Sequence, residues 1–92
     1  MISIPSASYA GPVVALSVRD IASNISCRIK ARSKFLELGG TGLPDASENS
    51  QWADINGMTP VVWCRNTQAF IAVSGTNSNA VTELRDEISK IF

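Results

Sequence analysis

Residues 25–34 read Ile-Ser-Cys-Arg-Ile-Lys-Ala-Arg-Ser-Lys, and the conformation assigned to them decides the fold. Two patterns compete there. Ile21, Ile25 and Ile29 recur every four residues, as on one face of a helix. Ile25 to Arg32 also alternates apolar with polar, as a half-buried strand does. Ser23, Asn24 and Ser26 are weak helix-interior residues, which favours the extended reading. The expectation is a helix from Pro12 to about Ser23, with proline at its first position, then a strand over 25–32 and a second over 35–38.

The C-terminal side is clearer. Pro60–Cys64 (PVVWC) and Ala69–Ser74 (AFIAVS) are β-branched and aromatic runs separated by Arg65-Asn66-Thr67-Gln68, which predicts a hairpin. Gly75 to Asn79 (GTNSN) ends the second strand and offers several helix N-caps. From about Ala80 to Ile91, Val81, Leu84, Ile88, Ile91 and Phe92 share one face at helical spacing. Pro44, Asp45 and Glu48 resemble the start of a capped helix, placed at about 46–55 with Asn56-Gly57 at its end. The rival reading makes Asn56-Gly57 a hairpin turn before Met58–Val62.

The fold class expected is therefore α+β: a small antiparallel sheet of about four strands, with two to three helices packed mainly on one face. Ninety-two residues form one domain, 1–92, opening with an extended arm or edge strand over 1–11. Those first residues carry no basic residue and contain Pro5, Gly11 and Pro12, so neither a signal peptide nor a membrane span is expected. With 45% apolar residues the chain can close a core, although one this small buries more surface as a homodimer.

Eight basic and eight acidic residues cancel, so no net field points to nucleic acid or membrane. Four of the eight cations nonetheless lie at alternate positions: Arg28, Lys30, Arg32 and Lys34. On a strand they form one basic stripe, with Ile25, Cys27, Ile29 and Ala31 turned to the core. Such a stripe suits phosphate or an acidic protein surface. The plainer reading is a solvated face partly neutralised by the acids of the last helix. Trp52, set among Asn49, Ser50, Gln51 and Asp54, is the candidate exposed anchor.

Phe35–Gly42 (FLELGGTG) bears a superficial likeness to the cofactor loop of a methyltransferase, but the chain is far shorter than a doubly wound domain needs. The Gly39–Gly42 loop is read as a connector, with ligand binding as the alternative. The chain has no histidine, hence no imidazole general base and no triad. Asp45, Glu48 and Asp54 read as a cap and a solvated face. No catalytic residue, metal ligand or cofactor is assigned. Cys27 and Cys64 are expected as buried free thiols of a cytoplasmic protein, a single internal disulfide being the other possibility.

The functional expectation is a non-enzymatic protein-binding module, homodimeric. It would be a small inhibitor or adaptor of the kind phages and mobile elements encode, masking a surface of a larger protein. An exposed sheet edge at Ile2–Ile4 or Ile25–Arg32 would supply the contact. The partner-binding candidates are Arg28, Lys30, Arg32, Lys34 and Trp52. The alternatives are a nucleic-acid-binding protein using the basic face, and a small ligand-binding domain or enzyme using Gly39–Gly42.

Overall fold

The computed structural model describes residues 11–92, so nearly all of the arm expected over 1–11 lies outside the described residues. Six elements follow in the order β1 (Val13–Asp20), α1 (Asn24–Glu37), β2 (Ser50–Trp52), β3 (Thr59–Arg65), β4 (Gln68–Gly75) and α2 (Ser78–Ser89). The strands make one antiparallel sheet in the order β1-β4-β3-β2. The fold class is that expected, with two helices among the described residues.

Residues 12–38 fold the other way round from the expectation. Val13–Asp20 (VVALSVRD) is a strand, paired over all eight residues with β4. Its Val-Val start suits a pleated surface better than a helix interior. The stretch 25–34 is helical. Ser23 caps α1 by accepting a hydrogen bond on Oγ from the Ser26 amide at 3.0 Å. Cys27, Ala31 and Phe35, spaced by four, are the residues α1 buries. The expected strand over 35–38 is the last turn of α1 and its cap. There the Gly39 amide donates to Leu36 O and the Gly40 amide to Phe35 O, with Gly39 at φ +79°, a Schellman closure.

The helix expected over 46–55 is also absent from the described structure. Asp45 caps only a turn: its Oδ1 accepts from the Ser47 amide and hydroxyl, and its carbonyl accepts from the Glu48 amide. The hairpin reading of Asn56-Gly57 holds instead. Ile55 and Met58 exchange both backbone hydrogen bonds across that turn, and Asn56 and Gly57 both have positive φ, 50° and 79°. That pair of conformations is what a two-residue turn matching strand twist requires. The β3–β4 hairpin and the C-terminal helix form where expected, and Asn77 caps α2 through a hydrogen bond from the Ala80 amide.

Both helices lie on one face of the sheet, α2 over β1 and β4 and α1 over β2 and β3. The core between the layers holds Phe35, Val62, Ile71, Val73, Val81 and Ile88, all fully buried. A disulfide between Cys27 and Cys64 ties α1 to β3 inside this core. The expectation of free thiols is thus corrected: packing α1 on β3 brings two cysteines far apart in sequence to bonding distance.

Candidate protein-binding face

Neighbouring strands pair in register, so the side of the sheet away from the helices can be read as rows. Val14, Ser74 and Thr59 form the first. Leu16, Ala72, Val61 and Trp52 form the second, and Val18, Phe70, Trp63 and Ser50 the third. Asp20, Gln68 and Arg65 close the face at the other end. Two apolar rows are therefore bordered by two largely polar ones.

No element among the described residues covers this face. Leu16 is 65% exposed, Val14 59% and Val18 51%, and Trp52, Trp63 and Phe70 each expose more than a third of their surface. Single exposed apolar residues are normal, whereas a contiguous patch of this kind marks an interaction site. The rings of Trp63 and Phe70 pair across the ladder with centroids 5.6 Å apart. The Arg65 guanidinium lies over Trp63, 5.3 Å from the ring centroid. Between them runs an apolar depression of about 300 Å³ lined by Leu16, Val18, Val61, Trp63, Phe70 and Ala72. Ala72 is the smallest of these lining side chains.

The chemistry of the face follows from what it carries. It has large apolar contact area, three amphipathic or aromatic anchors, Asp20 and Arg65 in one end row, and Asp54 opposite Thr59 at the other. Such a surface can exclude water against another apolar surface, and its polar end rows can fix the orientation.

The sequence-predicted basic stripe does not form, because residues 25–34 are helical. Arg28 donates to Asn49 Oδ1 at 2.9 Å and Arg32 donates to the Pro44 carbonyl, so these two cations pin the 44–49 loop. Lys34 joins α1 to α2, its Nζ lying 3.0 Å from Glu37 and 3.2 Å from Glu87. Hydrogen bonding to Glu37 and then to Glu87 raises the Lys34 pKa, and the hydrogen bond from Lys34 lowers that of Glu87. Lys30 is exposed beside a shallow hollow also lined by Asp20, Ser23, Ser26 and Phe92. The segment Ile25–Arg32 is likewise no sheet edge; the edges are β1 and β2. Residues Ile2–Ile4 lie outside the described residues.

Trp52 is on β2, exposed on the open face and level with Leu16. The Gly39–Gly42 loop has a packing role: a Cβ at Gly40 would sit 2.8 Å from Phe35 O and 2.9 Å from Ala53 Cβ. Asp45 is occupied by its turn, and the hydrogen bond from the Ser47 amide lowers its pKa. Fully buried Gln51 donates to the carbonyls of Asp45 and Glu48, anchoring the same loop from beneath.

Sequence reasoning did not single out Val14, Leu16 and Val18, and it took Trp63 and Phe70 only as members of the hairpin strands. The signal was present in the strands themselves. A half-buried strand alternates, but Val13–Val18, Val61–Cys64 and Ala69–Val73 are almost apolar at both parities. One parity faces the helices and the other is left over. A second apolar feature, Ile25, Ile29 and Leu36 on the outer side of α1, is also exposed, but its three side chains are interleaved with charged and polar neighbours.

Compared with known proteins, the chain matches no family model, no curated protein and no solved structure.

Proposed function

We propose that this chain is a non-enzymatic protein-binding module that docks its open sheet face on an apolar surface of a protein partner, as a small inhibitor or adaptor does. The observation that carries the reading is the pair of apolar rows, Leu16-Ala72-Val61-Trp52 and Val18-Phe70-Trp63, left uncovered among the described residues. Trp52, Trp63 and Phe70 serve as the anchors, since large rigid rings dominate interface energetics. Nucleic-acid binding has less support. The cations of α1 are spread around a helix, three of them are held by other groups, and the open face offers one cation to a phosphate backbone. Exposed Trp63 and Phe70 could stack on bases, but stacking without phosphate neutralisation is weak.

No helix among the described residues is long and apolar enough to cross a membrane. The cytoplasmic location expected from the sequence is weighed against the Cys27–Cys64 disulfide, since such bonds persist mainly in oxidising compartments. We place the working form in an oxidising compartment, where acid quenching of cells followed by thiol trapping in denaturant would leave Cys27 and Cys64 unlabelled. Labelling of both would restore the cytoplasmic reading.

The binding reading is tested by affinity capture of the tagged chain from cells that make it, with and without nuclease, beside Phe70→Asp. A stoichiometric protein that survives nuclease and is lost with Phe70→Asp is expected. Capture that depends on nucleic acid, or that ignores Phe70→Asp, overturns the reading.

A further inference from the structure

We propose that the occupant of the open face is a second copy of this chain, with β4 on the two-fold axis; the inference rests on reading that face as a binding surface.

The order of the strands sets the geometry. β1 and β3 flank β4 on either side, each about 4.8 Å away. A two-fold axis parallel to β4 and lying between two facing sheets keeps every row level with itself and exchanges the flanking strands. Leu16 then faces Val61 of the second copy, and Val18 faces its Trp63. Phe70 and Ala72 face their own counterparts on the axis. In the end row, Asp20 on β1 faces Arg65 on β3 of the second copy, and Arg65 faces Asp20 in turn. Both charges within the three-strand overlap are matched by one symmetry operation, and Asp54, past the end of β2, lies outside that overlap.

The alternative axis, perpendicular to the strands, brings the Asp20-Gln68-Arg65 row against the Val14-Ser74-Thr59 row. That sets Asp20 against Val14 and Arg65 against Thr59, with Asp54 only diagonally across from Arg65, so no charge is directly opposed by its complement. Complementary placement of charge is what fixes register in an interface, so the parallel axis is preferred. The steric relief agrees. On the axis small Ala72 lies one row from large Phe70, and off it Leu16 opposes the smaller Val61 while Val18 opposes the larger Trp63. Face-to-face sheets pack with interdigitated side chains at about 10 Å, aligned within about 30°.

The area is sufficient. The apolar side chains of β1, β4 and β3 on this face expose on the order of 500 Å², near the top of the roughly 300–600 Å² a monomer shows in one patch. A standard interface covers about 800 Å² per partner, and homodimer interfaces are roughly two-thirds apolar, which is what the two apolar rows and their polar borders provide. β2 lies beyond the overlap, so Trp52 is left at each margin of the dimer.

The test is sedimentation equilibrium of the purified full chain with its disulfide formed, at about 10 µM and above. The wild type is expected to be dimeric. Asp20→Arg and Arg65→Asp, each on the surface, should each raise the dimer dissociation constant at least about tenfold, and the double exchange should restore it to within about threefold. Independently of charge, Ala72→Cys should be joined to its own copy by a short bis-maleimide crosslinker, because position 72 meets its own copy on the axis at a sheet spacing of about 10 Å, too far for a direct disulfide. A wild type that stays monomeric overturns the proposal, as does a dimer indifferent to these changes. If the monomer's capture of another protein still depends on Phe70, the binding reading stands and its occupant is that protein. If that dependence is missing too, both readings fall.

Discussion

Trp63 and Phe70 sit directly opposite each other on β3 and β4, on the side of the sheet that neither helix covers. Fully buried Val62 and Ile71, the neighbouring pair in the same ladder, face the helices instead. One hairpin therefore builds both the core and the exposed aromatic surface, and the two can be separated by mutation.

Phe35→Ala should cost about 3–5 kcal/mol of stability, because it empties a fully buried position beneath α1. Phe70→Ala should cost under about 1.5 kcal/mol, mostly its pairing with Trp63, while abolishing partner binding. Urea denaturation beside a binding assay checks the contrast. Equal stability losses would place Phe70 in the core.

The Cys27–Cys64 disulfide closes a loop across 37 residues and joins the two layers. Replacing both cysteines with alanine should lower stability by about 3–4 kcal/mol through the entropy of the unfolded chain. The urea midpoint of the oxidised wild type against the double variant measures it. An unchanged midpoint would mean that the layers hold without the bond.

The Lys34–Glu87 tie between α1 and α2 predicts a pH profile with two edges. The Lys34 pKa is raised from 10.5, so its contribution is present below that value and is lost as pH rises through the higher folded pKa. The Glu87 pKa is lowered from 4.5, so its contribution is present above that value and is lost as pH falls through the lower folded pKa. Lys34→Met should be less stable than wild type between those edges, with the difference shrinking beyond both. A difference independent of pH would assign Lys34 to packing alone.

Gly40→Ala should destabilise by about 1–3 kcal/mol, since the new methyl meets the Phe35 carbonyl and Ala53. Its effect on partner binding should follow stability only, as read by comparing binding at matched folded fractions. Loss of binding with stability intact would instead make the glycine loop a recognition site.

These outcomes depend on features of unequal visibility in the sequence. The β3–β4 hairpin and α2 were legible because Pro60–Cys64 and Ala69–Ser74 are short apolar runs with a polar break, and Asn77 is a strong cap. Residues 12–38 were not. α1 carries exposed Ile25 and Ile29 on its outer side as well as buried Cys27 and Ala31, so its apolar residues alternate and imitate a strand. β1 has apolar residues at both parities, which removes the alternation by which a half-buried strand is known. Both misreadings arise from apolar side chains that the fold leaves at its surface. The pairing of Cys27 with Cys64 depends on how α1 crosses β3, a tertiary relationship that residue spacing does not encode.

Whether the open sheet face binds protein is read by site-specific photo-crosslinking in cells that make the chain. A photoreactive side chain is placed at Val18 on that face, and as a control at Glu83, exposed on α2. A covalent protein adduct from position 18 and none from position 83 is the predicted result, whether the adduct is a second copy or another protein. No protein adduct from position 18, or equal adducts from both positions, would contradict the account.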